Sequence, residues 1–141
     1  VALSMLDNKL KVLKPLIQKH KGALVKEMGD GTLSHFPTPM HATKCSTELQ
    51  KSLISHAIEL LNKNGTLVYS TCSLEPEENE LIIQYALENQ KIKLETVNTI
   101  GDPGITNPFD NKLNSEIKKC RRLWPWKTNT QGFFIAKIRK C

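Results

Sequence analysis

The stretch of residues 65–80, GTLVYSTCSLEPEENE, constrains the fold of this chain more than any other segment. Residues 66–70 form a short run of strand-forming residues, residues 71–73 are small and polar, and Pro76 with several glutamates favours a helix start. A strand that ends in a small polar turn and leads into a helix is a usual position for a site in an α/β sheet. Cys72 lies at the carboxyl end of this strand, where a thiol can face a crevice. We therefore take Cys72 as the first candidate functional residue.

Hydrophobic periodicity extends this interpretation to the rest of the chain. It predicts an α/β fold, with a mixed sheet of about five strands and flanking helices. A length of 141 residues with 39% hydrophobic content suits a single domain over residues 1–141. The predicted strands lie near residues 23–27, 32–36, 66–70, 92–97 and 132–138, and the predicted helices lie near residues 2–20, 39–62 and 76–89.

Composition limits the location and the partners of the chain. No apolar run is long enough to span a membrane and no basic-then-apolar leader is present, so we expect neither a membrane partner nor secretion. Because the chain begins with Val1, we expect a piece of a longer protein or a processed form. The oligomeric state cannot be predicted. Widely spaced cysteines without a C-x-x-C pair argue against a disulfide framework or a zinc site and favour a reducing, cytoplasmic location; they are Cys45, Cys72, Cys120 and Cys141.

The net charge of +6 is concentrated near the end of the chain, where Trp124 and Trp126 lie among the basic residues. Such a segment can bind a phosphate backbone and stack bases, and the alternative is a solvated basic face. The basic residues of this segment are Lys112, Lys118, Lys119, Arg121, Arg122, Lys127, Lys137, Arg139 and Lys140.

Two segments carry a family resemblance, LQKSLISHAIELLNKNGTLVYSTCSLEPEENE and RRLWPWKTNTQGFFIAKI. From about residue 49 onward the chain resembles the carboxyl-terminal half of the RNA cytosine-5 methyltransferases of the Sun/Nop2/RsmB family. The resemblance implies a partial Rossmann-like methyltransferase half, RNA as the partner and S-adenosylmethionine as the cofactor. It also implies that Cys72 is the catalytic nucleophile. With the basic segment, it predicts RNA contacts at Lys118, Lys119, Arg121, Arg122, Trp124 and Lys127.

Cytosine chemistry explains why a thiol belongs at Cys72. Carbon 5 of cytosine is a poor nucleophile until a group adds to carbon 6. A thiolate adds there, makes carbon 5 enamine-like, and leaves after methyl transfer and loss of the carbon 5 proton. We expect the nearby helix start to contribute to lowering the pKa that this chemistry requires. The alternative is an inert thiol in the core.

Other features of the family cannot be recognised in this sequence. Its glycine-rich donor-binding turn, and the Asp and second Cys of its other catalytic motif, should precede residue 49. We therefore assign no cofactor-binding residues and expect an incomplete methyltransferase fragment that is inactive alone. It would use S-adenosylmethionine only if another part supplied the donor pocket.

The first part of the chain carries a second resemblance. LKPLIQKHKGALVKEMGDGTLSHF, continuing to KCSTELQKSL, resembles the centre of a class III adenylate/guanylate cyclase catalytic domain over residues 10–50 or so. There, a hairpin turn carries a metal-binding aspartate, which implies magnesium at Asp30, and the alternative is a plain turn residue. The chain would then join a cyclase-like segment, 1–48, to a methyltransferase-like segment, 49–141. Two alternatives follow: a nucleotide cyclase-like module, or a non-catalytic chimera with weak RNA affinity.

Overall fold

A computed structural model of the chain describes the backbone of residues 2–28 and 31–141 and the side chains of residues 11–28 and 31–141. Its contacts group into two compact units, Val1–Gln50 and Lys51–Cys141. Within the described residues, no helix is both long and apolar enough to cross a membrane. The helices are α1 (Ala2–Lys19), α2 (Pro39–Leu60), α3 (Glu80–Asn89) and α4 (Pro125–Thr128), and the strands are β1 (Ala23–Met28), β2 (Gly31–His35), β3 (Thr66–Thr71), β4 (Ile92–Glu95), β5 (Asp102–Pro103), β6 (Arg121–Leu123) and β7 (Phe133–Lys140).

The first unit contains a small core and a two-stranded sheet. Strands β1 and β2 pair antiparallel, with Ala23 opposite His35, as the sequence predicts for a hairpin. They form a sheet of their own, whereas we predicted them as part of one larger sheet. The physical reason is that five of the six β1 residues are exposed, so β1 has little apolar surface to bury against another layer. Leu13, Ile17 and Cys45 form the buried core of this unit.

The second unit is built around β7, which is the central strand of a five-stranded sheet. Strand β3 pairs with one edge of β7 over residues Phe134–Arg139, and β6 and β4 share the other edge; β5 then pairs with β6. The four pairings are all antiparallel. The predicted α/β class, a sheet of five strands with flanking helices, is confirmed.

One face of this sheet packs against helices. The buried residues Phe134, Ala136 and Ile138 alternate along β7 and therefore lie on the same face of the strand. They belong to one cluster with residues of α2 and α3, and burial of this apolar surface is the main stabilising term of the unit. The helical members of the cluster are Ile54, Ile58, Ile82, Ile83 and Ala86.

Helix α3 begins at Glu80, whereas the sequence predicted a start at residue 76. Residues 76–79 form turns in which the Pro76 carbonyl accepts hydrogen bonds from the backbone amides of Asn79 and Leu81. Asn79 has φ −115° and ψ −95°, which is outside the helical region, so a continuous helix cannot include it. The connection between β3 and α3 is therefore an eight-residue loop, residues 72–79, which we call the Cys72 loop.

Candidate functional site

Cys72 is exposed at the start of the Cys72 loop. Along β3, Leu67 and Tyr69 pack against the core while the alternate residues Val68 and Ser70 are exposed. Because successive side chains of a strand point to opposite faces, Cys72 continues the exposed series. The thiol therefore lies where a substrate can reach it and away from the apolar core.

Partly buried hydrogen bonds fix the backbone on both sides of Cys72. The Asn79 side chain is buried, accepts from the Thr71 hydroxyl at 2.5 Å and donates to the Ser73 carbonyl at 2.9 Å. The Tyr69 hydroxyl donates to the Glu78 carbonyl at 2.7 Å. Burial, and secondly the charge of Glu78, raises the pKa of Tyr69 to about 12, so this donor stays protonated. The thiol is thus presented by a loop with defined geometry.

A buried ion pair connects the Cys72 loop to β6. The Arg122 guanidinium donates to both carboxylate oxygens of Glu80, at 2.6 and 2.5 Å, and to the Leu74 carbonyl at 2.7 Å. Arg122 is 1% exposed and Glu80 is fully buried. The second Glu80 partner is the Ile105 amide at 3.0 Å, so the carboxylate is well satisfied. A bidentate arginine–carboxylate pair is geometrically specific, and here it orients the segment just after Cys72.

Two stacked tryptophans lie above this arginine. The Trp124 ring is 4.9 Å from the Arg122 guanidinium carbon and 5.0 Å from the Trp126 ring, with 26° between the two ring planes. Trp126 is 71% exposed, so the outer face of the stack is open to solvent. An exposed indole that is held by stacking on a second indole is a suitable surface for stacking a nucleic-acid base.

The tryptophans and Cys72 lie at the same end of the sheet. In the strand register Thr71 pairs with Phe134 and Leu123 pairs with Phe133, which places Cys72 beside Phe133 and one strand away from Leu123. Two strand spacings separate β3 from β6, or about 10 Å.

Gly132 lies close to residues of both the Cys72 loop and α4. It has φ +91°, and an added Cβ would come within 3.1 Å of Leu74 Cδ2 and 3.2 Å of Pro125 Cγ. Gly132 therefore lies against both the Cys72 loop and α4. Glycine suits this position because of both the positive φ and the close approach.

The residues that we predicted to bind RNA lie in different environments. Trp124 belongs to the stack, and Lys118 is exposed and lines a cleft. The Arg121 guanidinium donates to the Lys118 and Cys120 carbonyls. Lys119 pairs with Glu116 at 2.8 Å, and Lys127 pairs with Asp102 at 2.5 Å. Arg122 is a correction, because its buried guanidinium is occupied by Glu80 and cannot also reach an RNA phosphate.

Sequence reasoning missed Glu80 and Asn79. We took the glutamates after Pro76 as helix-start chemistry, yet Glu80 is buried on the face of α3 that includes Ile83. The three-residue spacing of these two positions was the available signal, because it places both on one helix face. Asn79 carried no periodic signal, since its role depends on Thr71 and Ser73 across the loop.

Asp30, the residue of the second predicted site, lies outside the residues that the structure describes. Among the described residues, no group of three His, Cys, Asp or Glu side chains is arranged to hold a metal ion.

The known proteins that this chain resembles are RNA methyltransferases. The sequence profile of the family described as 16S rRNA methyltransferase RsmB/F matches residues 37–139. A tRNA (cytosine(49)-C(5))-methyltransferase of Pyrococcus abyssi is 39% identical over 97 residues, which covers 67% of this chain and 31% of the relative. A human 28S rRNA (cytosine(4447)-C(5))-methyltransferase is 38% identical over 97 residues, or 65% of this chain and 12% of the relative. The chain thus spans about a third or less of these relatives.

Solved structures show the same fold. A methyltransferase homolog protein from Pyrococcus horikoshii has a TM-score of 0.70 and 50% identity, covering 74% of this chain and 34% of that chain. NSun6 from the same organism, solved with SFG, has a TM-score of 0.59 and 39% identity over 73% of this chain and 24% of that chain.

These matches support neither the cyclase resemblance, nor its magnesium site, nor a chimera. Residues 37–48, which we assigned to the cyclase-like segment, fall inside the family match, so the methyltransferase resemblance begins earlier than predicted. Because the match extends over residues 37–139 of 141, the chain belongs to the RsmB/F family of RNA methyltransferases.

Proposed function

We propose that this chain is the part of an RNA cytosine-5 methyltransferase that supplies the nucleophile, Cys72. The observation that carries the proposal is an exposed thiol at a strand end, in a loop fixed by Asn79 and Arg122. Defined position matters because a nucleophile held in reacting geometry avoids much of the entropy cost of a bimolecular encounter.

The covalent chemistry uses the sulfur in two steps. In the first, the Cys72 thiolate forms a C–S bond to carbon 6 of cytosine, and the electron pair of the C5–C6 double bond becomes available at carbon 5. Carbon 5 then takes a methyl cation from a sulfonium methyl donor, and the electron pair of the broken methyl–sulfur bond stays on the donor sulfur. In the second, a base removes the carbon 5 proton, the double bond forms again, and the C–S bond breaks to return the thiolate. Electrons and atoms balance, because the net change is one proton of cytosine replaced by a methyl group.

The described residues do not fit a methyl-donor site on their own. S-adenosylmethionine is the donor that the family implies, and Rossmann-like folds bind such cofactors at a glycine-rich turn between a strand and a helix. The β3–α3 connection, residues 72–79, contains no glycine. Its side chains would therefore obstruct close approach of a cofactor to the backbone.

We propose that another part of a longer protein holds the donor, and that this chain alone does not turn over. The relatives and the solved structure that it matches are about three times the matched length or longer. Strand β3 is also an edge strand of the described sheet, and Val68 on it is 61% exposed. Another segment of the longer protein that packs on this edge strand would remove the exposed Val68 side chain from water.

RNA is the proposed substrate, and the tryptophan stack, at the same end of the sheet as Cys72, is the proposed base-stacking surface. Base–aromatic stacking contributes about 1–3 kcal/mol per base and tolerates different sequences. The specific RNA and the specific cytosine are left open by this surface, since stacking reads no base edge.

The decisive experiment is covalent trapping of the chain on single-stranded RNA that contains 5-azacytidine. Its ring nitrogen at position 5 favours addition at carbon 6, because nitrogen accepts the displaced electron pair. We expect an adduct that maps to Cys72 by mass spectrometry and is lost in Cys72→Ala. Cys141→Ala is the matched control, because Cys141 is the other exposed cysteine of the unit, and it should keep the adduct.

Protection from alkylation gives a second, non-covalent readout. Excess RNA without the analogue should slow iodoacetamide labelling of Cys72 and leave that of Cys141 unchanged. An adduct at Cys141, or no adduct together with unprotected Cys72, would overturn the proposal. The chain would then be better described by the alternative in which it binds RNA without catalysis.

A further inference from the structure

The cations near the end of the chain differ in whether the protein already uses them. Five of the nine pair with carboxylates: Lys119, Arg122, Lys127, Lys137 and Arg139. Two others, Arg121 and Lys140, donate to backbone carbonyls. Lys112 and Lys118 remain, and among the described residues neither has a carboxylate within 4 Å of its ammonium group.

These two lysines line the same cleft, which has a volume of about 410 Å³. Its other walls contain two hydroxyls and one amide that can donate hydrogen bonds, with one apolar side chain between them: Thr106, Ser115, Asn107 and Leu113. No acidic residue lines it, and the nearby Glu116 carboxylate is occupied by Lys119 and the Leu94 amide. Donors and positive charge without a carboxylate are the chemistry of an anion site, and phosphate in particular suits lysine ammonium groups.

The cleft is formed by backbone that is well anchored. The Leu113 amide donates to the Thr106 carbonyl at 2.9 Å and closes the loop that carries Lys112. The Asn114 amide donates to Gln84 Oε1 at 2.8 Å, which attaches the end of this loop to α3. Lys118 follows the fully buried Ile117. Because the walls exist before a ligand arrives, little ordering free energy would oppose binding.

We propose that this cleft binds phosphate groups of the RNA backbone. It is a contact site separate from the end of the sheet at which Cys72 lies. The inference rests on RNA being the substrate of the proposed function. The volume is near the lower end of the range for small-molecule pockets, about 300–1,000 Å³, which suits one nucleotide unit rather than a folded RNA element. Lys118 precedes β6 and Trp124 follows it, so one RNA strand that runs along β6 would contact both the cleft and the tryptophan stack.

The salt dependence of RNA binding tests this proposal. We compare wild type with Lys112→Gln/Lys118→Gln, using fluorescence anisotropy of a labelled single-stranded RNA over a range of salt concentrations. Each neutralised phosphate contributes about 0.7 to the slope of log K against log salt for single strands. A nucleotide unit in an RNA strand is flanked by two phosphates, one for each lysine, so the double variant should lose about 1.4. If binding is equal at about 1 M salt, that slope corresponds to about 25-fold weaker binding at about 0.1 M.

The matched control is Lys63→Gln/Lys91→Gln, which removes the same charge from two exposed lysines outside the cleft. It should change the slope by much less, and thermal melts of both variants check folding. Equal losses of slope in the two double variants would contradict the proposal that the cleft binds RNA phosphates. So would tight binding of inorganic phosphate at Lys112 and Lys118 that RNA does not displace, since the site would then serve a free phosphate.

Failure of the cleft and failure of the proposed nucleophile give different results. Cys72→Ala should abolish the 5-azacytidine adduct while it keeps the full salt slope. If wild type forms no adduct but the slope still falls in Lys112→Gln/Lys118→Gln, the nucleophile is wrong and the cleft stands. If the adduct forms and the slope is unchanged by that double variant, the cleft is wrong and the nucleophile stands.

Discussion

Two cysteines in the second unit, Cys72 and Cys120, have similar positions in the chain and opposite surroundings. Cys72 directly follows β3 and Cys120 directly precedes β6, so each lies at a strand end. Cys72 is exposed, whereas Cys120 is 1% exposed and belongs to the main core cluster. Burial, and secondly the negative charge of Glu80, raises the pKa of Cys120 to about 12. A strand end alone therefore does not expose a thiol to solvent; the face of the sheet on which the thiol lies does.

The Glu80–Arg122 pair contributes to both sides of this contrast. Arg122 orients the Leu74 carbonyl in the Cys72 loop, while Glu80 helps to keep the Cys120 thiol protonated. One buried ion pair thus helps to position the loop that carries Cys72 and to keep the Cys120 thiol protonated.

Thiol labelling should show the largest difference. At mildly alkaline pH, iodoacetamide should modify Cys72 at least about 1,000-fold faster than Cys120, because labelling of a core thiol requires opening of the core. Mass spectrometry of the digested protein measures both rates in one sample. In concentrated urea the two rates should become similar. Comparable labelling rates in the native protein would contradict the difference in exposure between Cys72 and Cys120.

Breaking the ion pair should have the next largest effect. Arg122→Met leaves a buried carboxylate without its cation, and we expect the free energy of unfolding to fall by about 3–5 kcal/mol. Urea titration followed by tryptophan fluorescence measures it, since both tryptophans lie in this unit. Arg139→Met is the control, because its partner Glu95 is partly exposed and also pairs with Lys137, and we expect a loss below about 1 kcal/mol.

The double variant Glu80→Leu/Arg122→Met sharpens this prediction. It should recover much of the stability lost in the single variant, because the unpaired buried charge is gone. If the single and double variants lose equal stability, the pair matters for packing and not for charge compensation.

Adding a methyl group beside Cys120 should reduce the difference in labelling rate between the two cysteines, because it should make the buried Cys120 more accessible. In Gly104→Ala the new Cβ would lie 2.4 Å from the Ile117 carbonyl oxygen and 3.2 Å from Cys120 Cβ. We expect a stability loss of about 1–3 kcal/mol from overpacking. Cys120 should then react faster with iodoacetamide while Cys72, the internal control, keeps its rate. An unchanged Cys120 rate would show that this contact does not protect the thiol.

Alkaline pH should give the smallest effect. The pKa of Cys120 rises from 9.0 to about 12 on folding, so the unfolded chain loses this proton first as pH increases. The contribution to stability is complete below about pH 9 and is lost as pH rises towards about 12. From about pH 8 to about pH 10, wild type should therefore lose about 1 kcal/mol more than Cys120→Ala. Equal losses would mean that Cys120 is not buried as the structure has it.

Sequence patterns predicted the long elements of this unit and missed the short ones. Strands β3 and β7 carry runs of strand-forming residues, and both were predicted within two residues of their observed ends. Strands β5 and β6 have two and three residues, which is too short for a periodic signal, and they form because β7 offers an edge for β6 to pair with. The early predicted start of α3 has a similar origin, since Asn79 is fixed by contacts across a loop.

The sequence by itself determined which chemical groups are available: a thiol at the end of an alternating strand, two nearby tryptophans and an excess of cations. Only the tertiary structure decided which of those groups remain free. Arg122 and Glu80 are 42 residues apart, and no local pattern links them, yet their pairing removes Arg122 from the RNA-binding set. Lys112 and Lys118 stay available because, among the described residues, no carboxylate lies within 4 Å of either ammonium group. The physical reason is that charge pairing and burial depend on contacts between distant segments, whereas periodicity reports only neighbours along the chain.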